Sequence, residues 1–209
     1  MKNLALTSSI VFLFFFTSSA QLINLGVKLG FNSSKMPVKF SNVNDIKDEV
    51  KIGYLAGLFV RINLPVVFLQ PEIYFSKKGG DFKSNTLPQI KNQEFTQQTV
   101  INTIDLPLLI GIKLIDLNAV NLKFMGGPLI SFVTSKDVSS QINGISSSNT
   151  TFSSEFKNTN WGVQFGGGIN ILNLSIDIRY EWGLNNISDN PFSTIKPRLL
   201  NVSLGLKLL

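Results

Sequence analysis

The sequence predicts an all-β fold, an eight-stranded antiparallel up-and-down transmembrane β-barrel, and three observations lead there. Apolar and polar residues alternate with a period of two through eight segments. The connections between those segments are alternately long and short. The polar face is rich in glycine, while the 209-residue chain is only 15% charged, well below the roughly 25% of a soluble domain.

The amino end stands apart. Lys2 precedes an apolar stretch from Leu4 to Phe16, and Thr17-Ser18-Ser19-Ala20 is a run of small residues before Gln21. This is the pattern of a secretory signal cleaved after Ala20, and its apolar core is shorter than the ~20 residues of a membrane-spanning helix. Residues 1–20 are therefore expected to be a signal peptide and residues 21–209 the barrel domain.

The first strand is predicted over 22–32, with Ile23, Leu25, Val27, Leu29 and Phe31 on one face and Asn24, Gly26, Lys28, Gly30 and Asn32 on the other. Segments at about 51–63, 66–77, 99–114, 119–134 and 156–170 repeat the alternation. From 174 to 184 it is cleanest: Leu174, Ile176, Ile178, Tyr180, Trp182 and Leu184 oppose Ser175, Asp177, Arg179, Glu181 and Gly183. The last strand sets Leu200, Val202, Leu204, Leu206 and Leu208 against Asn201, Ser203, Gly205 and Lys207. Connections 33–50, 78–98, 135–155 and 185–196 are long and polar, whereas Leu64-Pro65, Ile115 to Asn118 and Ile171 to Asn173 are tight. Long loops on one side and short turns on the other are the layout of a membrane barrel.

Alternation alone also fits a soluble barrel with a greasy interior, so the polar face decides the orientation. Gly26, Gly30, Gly53, Gly57, Gly111, Gly127, Gly162, Gly166, Gly168, Gly183 and Gly205 fall on it. Glycine weakens a solvated strand but suits a narrow, crowded lumen. The apolar face carries Tyr54, Phe75, Phe124, Phe132, Trp161, Tyr180 and Trp182, several near strand ends, as in interfacial aromatic girdles.

By this register the lumen holds Lys28, Arg61, Lys113, Lys123, Arg179 and Lys207 against Glu72, Asp105, Asp177 and Glu181. Such charges are costly unless paired, and the interior of an eight-stranded barrel is only wide enough for its own side chains. The expectation is a structural network and no open pore; acid-base catalysis and a charged ion path are the competing uses. The absence of Cys and His removes thiol chemistry, disulfides, the usual general base and the commonest metal ligand. No enzymatic activity, cofactor or metal site is expected. The run Gly166-Gly167-Gly168 lacks the Lys-Ser/Thr of a phosphate loop and is expected to be a strand kink. Asp45, Asp48 and Glu49 lack calcium-ligand spacing, and the serines from Ser139 to Ser154 form a low-complexity loop without an activating base. The pI near 9.6 comes without a contiguous basic patch, so no nucleic acid is expected. Lys35, Lys39, Lys77, Lys78 and Lys83 are expected at the rim and loops, meeting phosphates of outer-membrane lipid and lipopolysaccharide.

Five pieces of wording carry a resemblance: Leu25-Gly26-Val27-Lys28-Leu29-Gly30-Phe31-Asn32, the stretch from Leu69 to Gly79, Ile104-Asp105-Leu106-Pro107-Leu108-Leu109, Gly126-Gly127-Pro128, and the stretch from Arg179 to Ile187. In that order they resemble the PorT-like outer-membrane β-barrel family of Bacteroidetes-type Gram-negative bacteria. The resemblance implies residence in the outer membrane, insertion by the barrel assembly machinery, and secretion-system proteins as partners. Members usually end in an aromatic residue, whereas this chain ends Lys207-Leu208-Leu209. The function expected is a non-enzymatic one, binding or structural, exercised through four long surface loops. The alternatives are an accessory role in secretion or envelope assembly, a narrow channel, or a secreted soluble barrel that binds an apolar ligand.

Overall fold

The computed structural model of the protein describes residues 22–35, 38–40, 47–84, 95–117, 119–142, 145–147, 157–187 and 193–209. The expected leader, residues 1–20, lies outside them, as does Asp45. Eight long strands form one sheet: β1 Ile23–Lys35, β2 Lys47–Asn63, β3 Val67–Ser84, β4 Phe95–Asp116, β5 Val120–Ile142, β6 Thr159–Ile171, β7 Leu174–Gly183 and β8 Arg198–Lys207. Each pairs antiparallel with the next in the chain, and β8 pairs back onto β1 from Gly26↔Lys207 to Lys35↔Arg198. Closure leaves no free edge, which suits a sheet whose backbone must be satisfied without water. Val38–Phe40 pairs with Ser193–Ile195, and Ile145–Ser147 adds onto the far end of β5.

Exposure settles which way the faces point. Leu29, Ile52 and Ile178 are 64%, 77% and 54% exposed, while Lys28, Asp177 and Arg179 are at 2%, 2% and 1%. A soluble barrel reverses that arrangement; this one presents an apolar belt outward and keeps its charges within. Tyr54, Phe75, Phe132, Trp161 and Trp182 all project outward toward the end opposite the tight turns, with Tyr54 and Phe75 rings 6.3 Å apart. Phe124 sits lower, and the rim at the turn end is aliphatic: Leu64, Val66, Leu117, Leu172 and Leu208. The aromatic girdle therefore has one strong side among the described residues, where the alternation had suggested two.

Several boundaries differ from the sequence expectation. Residues 47–50, 78–84, 95–98 and 135–142, expected in loops, belong to β2, β3, β4 and β5. Beyond the lipid belt neither face has to be apolar, so the alternation that reveals a strand fades there although the ladder continues. β6 runs through Gly166-Gly167-Gly168 in unbroken register with both neighbours, so the expected kink is not a register break. Irregular register occurs instead at Val50/Leu55, Asn102/Thr103 and Lys113/Ile115.

Candidate functional site

Inward positions alternate along every strand, so residues distant in sequence meet in the lumen. Five buried cations, Lys28, Arg61, Lys78, Lys123 and Arg179, are placed there with four buried carboxylates, Glu72, Asp105, Asp177 and Glu181. Glu72 on β3 is the lower hub. It accepts from Lys28 Nζ at 2.7 Å on both oxygens, from Arg179 Nη1 at 3.0 Å and from Gln70 Nε2 at 2.5 Å. Gln70 in turn accepts from Arg61 Nε at 2.6 Å.

The chain of contacts continues upward. Arg179 Nη1 lies 3.4 Å from Gln164 Oε1, and Gln164 Nε2 donates to Tyr74 Oη at 2.6 Å and to Glu181 Oε2 at 3.0 Å. Lys78 Nζ then bridges Glu181 Oε1 at 2.7 Å and Asp105 Oδ2 at 2.8 Å. A side branch joins Lys123 Nζ to Asp177 Oδ1 at 2.6 Å and Ser175 Oγ at 2.7 Å. The network thus runs from Arg61 near the turn end to Asp105 toward the loop end, through side chains of β1, β2, β3, β4, β6 and β7. Because each charge has an opposite charge or a neutral amide within reach, the low dielectric strengthens the pairing that offsets desolvation.

Lys113 and Lys207, expected in the same network, stand at the turn-end mouth and are only part-buried. Lys113 pairs with Asp116 at 3.2 Å, three residues along its own strand end. Lys78 moves the other way. It was expected on the rim, yet it lies within the lumen at 4% exposure and holds two carboxylates. Its place was readable: Glu72, Tyr74, Ser76 and Lys78 follow one another at period two, and the inward face does not end where the apolar one does. Gln70, Tyr74 and Gln164 were also missed, because neutral side chains carry no signal of their own in a polar face. Lys39 and Lys83 have side chains outside the described residues, as do Asp48, Glu49 and the serine-rich stretch from Ser139 on.

Glycine makes room for this filling. A Cβ on Gly111 would lie 2.0 Å from Cζ of Phe68, and one on Gly26 would lie 2.3 Å from Cζ of Phe59. The tips of both rings rest over bare backbone, and the Arg61 guanidinium packs over the rings at 5.7 Å from Phe59 and 5.0 Å from Phe68. Among the described residues no three carboxylates gather as a metal site. The arrangement fills and cross-braces the barrel; its centre is occupied by side chains that are each at most 5% exposed.

No curated protein matches the sequence. Among solved structures, the attachment invasion locus protein Ail of Yersinia pestis, crystallised with the heparin analogue sucrose octasulfate, is 12% identical, with 90% of this chain and 99% of that one covered at a TM-score of 0.41. OprG from Pseudomonas aeruginosa is 11% identical over 88% and 95% of the two chains, TM-score 0.43. Neisserial surface protein A is 12% identical over 88% and 97%, TM-score 0.40. The family described as outer membrane protein beta-barrel domain matches residues 18–189, which is most of the chain. With a closed, inside-out barrel and that match, the chain belongs to the outer membrane protein beta-barrel domain family and resides in the bacterial outer membrane.

Proposed function

We propose that this protein is a non-enzymatic surface protein that carries a recognition wall on a sealed barrel. The observation that supports it is the uneven height of the strands. On the side of the long connections, taken as extracellular by the rule for such barrels, the last lipid-facing pair of β4 and β5 is Ile104 with Phe132. Both strands continue past it, and β2 to β5 remain paired as far as Lys47↔Lys83, Ser84↔Phe95 and Phe95↔Ile142. From Ile104 to Phe95 the ladder rises roughly 30 Å along the strand, while among the described residues β1 and β6 to β8 end near the membrane and only the three-residue pair Val38–Phe40 with Ser193–Ile195 lies beyond β1 and β8. A sheet held rigid from below is a good platform for binding.

Photo-cross-linking on intact cells tests this, with the probe placed at Gln98 and at Ser139, which face each other across β4 and β5. Adducts with extracellular ligands are expected. Excising residues 79–100 and joining the paired Lys78 and Ile101 through an Asn-Gly turn removes the β3–β4 part of the wall, and the adducts at Ser139 should fall while the barrel still folds. Adducts with secretion-machinery proteins instead would replace the surface role by the accessory one that the PorT-like wording favours. The barrel assembly machinery is the partner that inserts the chain in either case.

Lipid is the second partner. Lys35 and Arg198 are directly opposite on the outward face of β1 and β8, both exposed and without a carboxylate partner among the described residues. Trp182 stands opposite Arg198 on β7, and Lys77 Nζ lies 6.0 Å from the Tyr54 ring centre. Like charges facing each other are unfavourable until an anion bridges them, and at this height the anion is a phosphate of the outer leaflet.

A further inference from the structure

At the periplasmic end the lumen opens into a cavity of about 200 Å³, walled by Arg61, Lys113 and Lys207 together with Asn63, Asn121 and Asn170. Arg61 is the unusual member. It is 2% exposed, its Nε is taken by Gln70 and its Nη1 lies 3.3 Å from Asn170 Oδ1, yet buried Nη2 has no hydrogen-bond partner. The guanidinium carbon lies over the Phe59 and Phe68 rings, 5.7 Å and 5.0 Å from their centres. Leaving a charged donor unpaired in a buried place is costly.

The rest of the wall has the same sign. Lys207 has no ion pair among the described residues, whereas Lys113 shares the wall's carboxylate: Asp116 accepts from Lys113 at 3.2 Å and from Asn121 Nδ2 at 2.9 Å, which leaves Arg61 and Lys207 as the wall's uncompensated cations. Asn170 Nδ2 donates to Asn121 Oδ1 at 3.0 Å, so a line of amides runs from Arg61 to Asp116 and fixes the side of the cavity. Three cations against one carboxylate surround a space that takes one phosphoryl group and a few waters at ~30 Å³ each.

We propose that the periplasmic mouth is a binding site for a phosphate-class oxyanion, with the buried Arg61 guanidinium as its fixed charge and Lys113 and Lys207 as its flanking charges. A planar guanidinium suits an oxyanion, and the two amines close around it as mobile point charges. The site is at the opposite end of the barrel from the recognition wall and stands independently of it.

The test is calorimetric titration of the refolded full-length barrel in uncharged detergent with inorganic phosphate and, separately, with glycerol phosphate, against chloride at equal ionic strength. Saturable binding with a dissociation constant of roughly 0.1–1 mM is expected. Arg61→Gln should abolish saturation. Because that change touches the buried network, the double variant K113A/K207A, at the part-exposed mouth, is the second arm and should weaken binding about ten-fold with the gel-mobility shift of the folded barrel retained. Tighter binding of the ester assigns the site to a phosphoryl group carried on a small molecule, and equal binding assigns it to the free anion; both support the proposal. No saturable heat from either probe up to about 10 mM, or unchanged affinity in K113A/K207A, overturns it.

Discussion

The same residue type is worth different amounts at two heights of this lumen. Lys78 is buried between Asp105 and Glu181, and replacing it by Met leaves two carboxylates facing each other in a dry interior. Breaking a buried pair in this way costs about 3–5 kcal/mol. Lys113 pairs with an Asp116 side chain that is 52% exposed, where water already solvates both groups. Lys113→Met is therefore expected to cost less than about 1 kcal/mol. Urea titrations of the two refolded variants, followed by gel mobility, measure both; equal losses would mean that water reaches Lys78. The charged residues were legible as lumenal from period two alone. Which of them are paired was not, because partners such as Lys28 with Glu72, or Gln164 with Tyr74, lie on different strands and meet only once the barrel has closed.

At the scale of the strand, two positions set local geometry. Phe68 of β3 rests against Gly111 of β4, its ring held from above by Arg61. Gly111→Val forces the ring into the guanidinium and should cost about 1–3 kcal/mol, and adding Phe68→Leu should recover part of the loss. Failure of that rescue would show that the wall, not the ring, resists the side chain. The second position is the two-residue turn between β6 and β7, where Leu172 takes φ 54° with its side chain 71% exposed. A left-handed leucine costs roughly 1–2 kcal/mol, and Asn adopts that conformation more readily. Leu172→Asn is expected to raise the unfolding midpoint, a gain of about 0.5–1 kcal/mol by the same urea assay; no gain would mean that the lipid-facing leucine contributes as much by burial as it loses in strain. This turn and its neighbours were readable because they interrupt strong alternation. The upper ends of β3, β4 and β5 were not, since the Gln97, Gln98, Ser139 and Ser140 stretches are polar on both faces.

The whole molecule is a thin apolar band around a polar filling. Along β7 the outward series Leu174 to Trp182 spans nine residues, which at the usual rise and a tilt near 40° gives a height of roughly 20–25 Å, matching the apolar band of outer-membrane barrels. The band fixes the barrel in the bilayer and the closed sheet fixes its width, so eight strands leave an interior that side chains fill. Lys28, Glu72, Tyr74, Gln164 and Arg179 occupy the middle, cross-linked from wall to wall, and an ion would have to displace them to pass. The purified protein in a planar bilayer at about 100 mV is therefore expected to show no steady conductance steps, whereas Glu72→Ala combined with Arg179→Ala, which removes the central cross-brace, should admit brief irregular ones if the barrel survives the loss of pairing. Steady steps from the wild type would mean that the ladder from Arg61 to Asp105 is a wetted path whose charges guide an ion, and the barrel would then be a channel rather than a sealed one.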